Sequence, residues 1–158
     1  MVSETLQAMW QVLEPFAPTI VTMLALWIAV VTPLPGRGPR GKRDPWRSFK
    51  YGARREVMER AGGRCEAQVL LLWGRCDKSA TDADHIYPWS KGGPTIVSNG
   101  QALCRSHNVS KGSVTPAWWK LVGLERRRRG YFPGGHGIRV SARMSEQDRV
   151  LRERRAAA

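Results

Sequence analysis

The chain has 158 residues, with 26 Lys or Arg against 13 Asp or Glu, a net charge of +13 and a pI near 10.8. That length makes one main core the expectation, and the charge points to a polyanion, either nucleic acid or an anionic lipid surface, with a solvated, soluble surface as the alternative. Three cysteines, an odd count, fit a disulfide framework poorly and point to a reducing compartment.

The charge is unevenly spread. Residues 1–36 hold Glu4 and Glu14 and no basic residue, so every Lys and Arg falls in residues 37–158. Within the first segment, "FAPTIVTMLALWIAVVT" (16–32) carries no charge. As a helix it spans roughly 25 Å, at the short end of a bilayer crossing. Its Leu, Ile, Val and Phe supply about −2 to −5 kcal/mol of insertion free energy, which the threonines and Pro18 erode. The start lacks the positive region of a signal peptide. A single inner- or plasma-membrane span is the expectation, with a buried or partner-packing helix as the alternative.

The basic stretch that follows sets orientation. Arg37, Arg40, Lys42, Arg43, Arg47 and Lys50 oppose only Asp44, so the C-terminal domain is expected in the cytoplasm. If the span fails, the whole protein is expected to be cytoplasmic. Prolines and glycines make residues 37–50 a linker that could also contact anionic headgroups.

"GARREVMERA" (52–61) reads as a helix burying Val57 and the Ala53/Ala61 side and keeping its arginines wet, ended by Gly62-Gly63. "VLLLW" (69–73) reads as a strand or a loop plugged into the core. "DADHIYPWS" reads as a strand stopping near Pro88, and Gly92-Gly93-Pro94 as a turn. A short helix is expected from about Arg105 to Lys111. "TPAWWKLVGLERRRRGYF" reads as an amphipathic helix with Trp118, Leu121, Val122 and Leu124 on the buried face. Residues 141–158 read as a solvated helix or frayed tail.

Two sets of side chains carry chemistry. Cys65, Cys76, Cys104 and His107 offer a tetrahedral Cys₃His set, suited to structural zinc; three buried core cysteines are the alternative. Asp84, His85, Asn99 and Asn108 are harder, oxygen-rich groups suited to Mg²⁺ or Mn²⁺, with an imidazole able to take a proton from water. Neighbours in a regular strand face opposite ways, so Asp84 and His85 need an irregular strand end to serve one centre. A base and a divalent cation are what phosphodiester hydrolysis needs.

The string "DHIYPWSKGGPTIVSNGQALCRSHNVSKG", with the lead-in "REVMERAGGRC", resembles the HNH endonuclease family of bacterial and phage type over roughly residues 46–112. The resemblance implies an α+β chain: a small ββα-metal nuclease domain with flanking helices, preceded by the N-terminal apolar helix. It implies an N-terminal segment at 1–36, the linker at 37–50, the nuclease domain at 51–125 and a basic extension at 126–158. It implies that His85 is the general base and that Asn99 braces the loop and orients His85. Asp84 and Asn108 would hold Mg²⁺, Mn²⁺ or Ni²⁺, Asn108 standing where many members have a last His. Cys65, Cys76, Cys104 and His107 would hold Zn²⁺, His107 standing where many have a fourth Cys. DNA is the implied partner, with Lys111 and Arg126, Arg127, Arg128 and Arg129 as phosphate contacts. A zinc-stabilised DNA-binding module without cleavage is the competing reading, and a basic domain gripping lipid headgroups is a third.

Overall fold

A computed structural model describes residues 2–31, 38–39, 42–70 and 73–157. The chain divides into two compact units, Met1–Leu34 and Pro35–Ala158. The first is helical: α1 (Val2–Leu13), a 3₁₀ turn at Glu14–Phe16, and α2 (Ala17–Val31). Pro15 and Pro18 fall at the start of the 3₁₀ turn and in the first turn of α2, where a missing N–H costs little. The stretch Met9–Ile28 is long and apolar enough to cross a membrane by length and composition, and none of it is buried. Thr32, Arg37, Arg40 and Gly41, parts of the expected span and linker, lie outside the described residues.

In the second unit, α3 (Tyr51–Arg60) buries Val57 and stops at Gly62 and Gly63. Both glycines have positive φ, and Gly63 N–H donates to the Met58 carbonyl, closing the helix end. A small antiparallel hairpin follows: β1 (Gln68–Leu70) pairs with β2 (Trp73–Arg75), with Leu71 and Leu72 of the expected apolar strand outside the described residues. A second antiparallel pair, β3 (Asp82–His85) and β4 (Gly100–Leu103), sets Asp84 opposite Gln101 and His85 opposite Gly100. Next come α4 (Arg105–Lys111), α5 (Trp118–Arg128) and α6 (Glu146–Ala157). The core packs Phe49, Val57, Ala61 and Ala102 between α3 and the β3–β4 pair.

The turn between β3 and β4 depends on glycine. Gly92 has φ +86, and a Cβ on Gly93 would fall 1.9 Å from the Tyr87 carbonyl oxygen. No other residue fits that close approach without moving the backbone.

Several expectations are corrected. The stretch expected to be a basic linker buries Asp44 and Phe49 within the second unit, because Asp44 accepts backbone hydrogen bonds there and Phe49 meets the core. The arginines of α3 are not all wet: Arg60 is buried, its guanidinium donating to the Val97 and Gly100 carbonyls at 2.6 Å each. On α5, Leu124 is buried, but Trp118 and Val122 are 74% and 55% exposed. The inward face of α5 is set instead by Leu124 and Arg128, four residues apart. The extension beyond residue 125 holds core residues as well, since Arg128 and Tyr131 bond to buried Glu66.

Candidate metal and catalytic site

The soft ligand set converges. The Sγ atoms of Cys65, Cys76 and Cys104 and a ring nitrogen of His107 all lie within 4.8 Å of one another. Cys104 caps α4 and places His107 one turn along the helix, with its Nδ1 3.2 Å from Cys104 Sγ and 3.6 Å from Cys65 Sγ. Cys65 and Cys76 are brought together by the β1–β2 hairpin, where Cys76 N–H donates to the Ala67 carbonyl at 2.9 Å. Arg75 ties the loop from outside, donating to the carbonyls of Ala61, Arg64 and Cys65. The Ser106 hydroxyl and the His107 backbone N–H lower the Cys104 thiol to about 6, whereas burial pushes Cys65 up to about 11. One thiolate forms readily, and the other needs a cation. Four donors this close, three of them sulfur, fit a tetrahedral metal ion.

The harder set lines a different place. Asp84, His85 and Asn108 border one cleft of about 390 Å³, with Arg47, Arg54 and Lys111 on its walls. His85 is the last residue of β3, and there the strand gives way to the Pro88 turn, so two adjacent residues reach one cleft. A larger cavity of about 490 Å³, lined by Leu103, Trp119 and Leu124 among others, contains none of Asp84, His85 and Asn108, so the chemistry belongs with the smaller one.

His85 is 6% exposed. Burial lowers its imidazole to about 4; Lys111 adds to that, and Asp84 and Asp44 oppose it. The Phe49 ring lies against it, centroids 4.6 Å apart. Asp84 Oδ2 sits 2.8 Å from Lys111 Nζ, both out of solvent and without a well-directed hydrogen bond. The Asp84 carboxylate and the Asn108 carboxamide, on the same cleft, are the kind of oxygen donors a hard metal ion takes. Lys111, expected against phosphate, is turned to Asp84.

Asn99 is fully buried. Its Oδ1 accepts from Tyr87 N–H at 2.9 Å, and its Nδ2 donates to the Pro94 and Tyr87 carbonyls at 2.8 and 3.1 Å. It therefore pins the whole turn that follows His85. Among the described residues, the polar partner of the His85 ring is Thr95, 2.9 Å from Nε2.

Residues 73–113 match the HNH endonuclease family. Searches of the curated proteins and of the solved structures give no match. The HNH segment runs from β2 through α4 and contains the β3–β4–α4 unit, the ββα-metal fold expected from the sequence. It includes every residue of both ligand sets except Cys65, which approaches from the hairpin's other arm. HNH domains act on nucleic acids and use divalent metals, which places this segment in a nuclease or nucleic-acid-related class.

The expected run of basic residues at 126–129 splits. Arg126 and Arg129 are exposed. Arg127 is partly buried and reaches Gln68 Oε1 at 3.4 Å. Arg128 is fully buried and paired with Glu66, so it is unavailable to phosphate. Sequence reasoning missed Glu66, Thr95 and Arg152. Glu66 and Arg152 lie outside the quoted motif and Thr95 within it, and only tertiary packing shows that each is buried or bonded.

Proposed function

We propose that the chain is a metal-dependent HNH endonuclease hydrolysing DNA phosphodiester bonds. The observation that carries this reading is the convergence of Asp84, His85 and Asn108 on one cleft walled by Arg47 and Arg54. His85, neutral through burial, takes a proton from the attacking water. Asp84 and Asn108 hold a divalent cation such as Mg²⁺, Mn²⁺ or Ni²⁺, which supplies positive charge to the scissile phosphate and its leaving oxygen. Asn99 keeps the turn after His85 in place. Cys65, Cys76, Cys104 and His107 bind a structural Zn²⁺ that fixes α4, and with it Asn108, against the β-pair. Exposed arginines, Arg126 and Arg129 among them, hold the DNA backbone without reading sequence.

The apolar helix anchors the chain in a membrane as a single span, with the nuclease unit in the cytoplasm and the adjoining basic residues against anionic lipid. Its support is the uncharged, unburied stretch Met9–Ile28 followed by an arginine-rich flank.

One observation favours the non-cleaving reading: Lys111 already neutralises Asp84. A plasmid-nicking assay of the full-length protein with Mg²⁺, Mn²⁺ or Ni²⁺, against EDTA, separates the two. His85→Ala is expected to abolish nicking and leave DNA binding nearly unchanged. Nicking by His85→Ala at the wild-type rate would overturn the assignment.

A further inference from the structure

The His85 ring is oriented by a residue outside the metal sets. Thr95 Oγ1 lies 2.9 Å from His85 Nε2 and also contacts the Trp46 carbonyl oxygen. A carbonyl can only accept, so the one hydroxyl hydrogen of Thr95 goes to Trp46. The hydroxyl oxygen must then accept from the histidine, which puts the proton on Nε2. In a neutral imidazole this leaves Nδ1 bare.

Thr95 is held in turn. Its N–H donates to Asp44 Oδ2 at 2.8 Å, and Asp44 Oδ1 accepts from Trp46 N–H at 2.9 Å. Arg152, on α6, donates to Asp44 Oδ2 and, at 3.2 Å, to the Thr95 carbonyl. Its guanidinium lies 4.4 Å over the Trp46 ring. Asp44 and Thr95 are both buried. A short strap before the HNH segment and a helix near the chain's end thus meet on the residue behind the histidine.

We propose that Thr95 is a positioning residue for His85: it fixes the Nε2–H tautomer and leaves Nδ1 as the proton acceptor, with Asp44 and Arg152 locking Thr95. The catalytic half of this inference rests on His85 being the general base. A hydroxyl that only filled space would be replaceable by a methyl group of the same size; a tautomer lock would not.

The test compares full-length wild type, Thr95→Ser and Thr95→Val in detergent micelles. Long-range ¹H–¹⁵N correlation spectra report the tautomer, with His85 assigned by its loss in His85→Ala. Wild type and Thr95→Ser are expected to show protonated Nε2 and bare Nδ1, and Thr95→Val a mixture of tautomers. Nicking by Thr95→Val should fall about 10–100-fold in kcat at unchanged KM, a share of what a general base supplies, and Thr95→Ser should recover it. A wild-type ring protonated on Nδ1 would overturn the inference, as would Thr95→Val keeping both the Nε2–H tautomer and the wild-type kcat. If Thr95→Val fails to fold, the wild-type tautomer together with that of Arg152→Met decides. If wild type fails to nick with Mg²⁺, Mn²⁺ or Ni²⁺, the nuclease reading falls, and the spectra still decide the lock.

Discussion

Arg128 offers a direct test of where this chain spends its positive charge. Its Nε donates to Glu66 Oε1 at 2.8 Å, and its Nη2 donates to Glu66 Oε2 at 3.2 Å and to the Gly100 carbonyl at 2.8 Å. Glu66 also accepts from Tyr131 Oη at 2.7 Å and from Ala102 N–H at 2.9 Å. Burial works against the Glu66 carboxylate, but Arg128 overrides it and holds the carboxyl below its ordinary range. Both side chains are 0% exposed. Arg128→Met leaves that carboxylate buried without its cation, a change that costs about 3–5 kcal/mol. Such a loss is about a fifth or more of a typical domain's stability and should lower Tm by about 10–20 °C. Arg129→Ala, at an exposed position, should stay within about 0.5 kcal/mol. The double variant Arg128→Met/Glu66→Gln removes the stranded charge and keeps an acceptor for Ala102, so it should be more stable than Arg128→Met alone. Thermal melts followed by circular dichroism measure all three. An Arg128→Met protein melting within about 3 °C of wild type, or a double variant no better than the single, would refute the buried-pair argument.

Cys104→Ser should lose bound zinc and fail to fold, since structural zinc contributes on the order of 10–16 kcal/mol in small domains; metal analysis and circular dichroism check this, and a folded, metal-free wild type would sink the zinc assignment. Nicking should persist into mild acid, because burial holds His85 near 4 and the base form is lost only below that value. At pH 5.5 about nine-tenths of rings with the ordinary value would be protonated, against about 3% here, so a kcat/KM profile with an acid limb near 6.5 would contradict it. Lys111→Met removes a like charge from beside the Asp84 cation site. The Coulomb term, discounted for partial exposure to about 1–2 kcal/mol, should tighten metal half-saturation about 5–30-fold; unchanged or weaker metal dependence would count against Asp84 as a ligand.

The parts of the fold legible in the sequence are those fixed by short-range rules. The order from Asp84 to Lys111, the glycine turn and the Cys/His spacing follow from local geometry and ligand chemistry. The helix at Arg105–Lys111 begins and ends where the sequence places it. What local rules miss is polar burial. Nothing in "RRRR" tells Arg128 from Arg129, because helical phase alone puts the former against Glu66, 62 residues away. Amphipathic patterning puts Trp118 on the buried face, yet it lies outside the inward stripe that Leu124 and Arg128 define. Arg152 belongs to a stretch that sequence alone reads as a solvated helix or frayed tail, and its partner Asp44 lies 108 residues away.

A net charge of +13 therefore overstates the field available to a polyanion. Small zinc-type folds have short strands and many loops, so many backbone carbonyls lack a ladder partner. Arginine's planar fork can satisfy several of these at once. Arg75 collects the carbonyls of Ala61, Arg64 and Cys65; Arg64 those of Cys76 and Arg75; and Arg60 those of Val97 and Gly100. Arg128 shares the Gly100 carbonyl with Arg60, and Arg152 serves Asp44 and Thr95. These five arginines hold the two ligand sets in register, and lysine, with a single point charge, could not replace them. The positive charge the cleft can offer a polyanion is that of Arg47 and Arg54, because Lys111 is set against Asp84. Composition counts all of these residues alike. The geometry divides them into those that build the site and those that face what it binds.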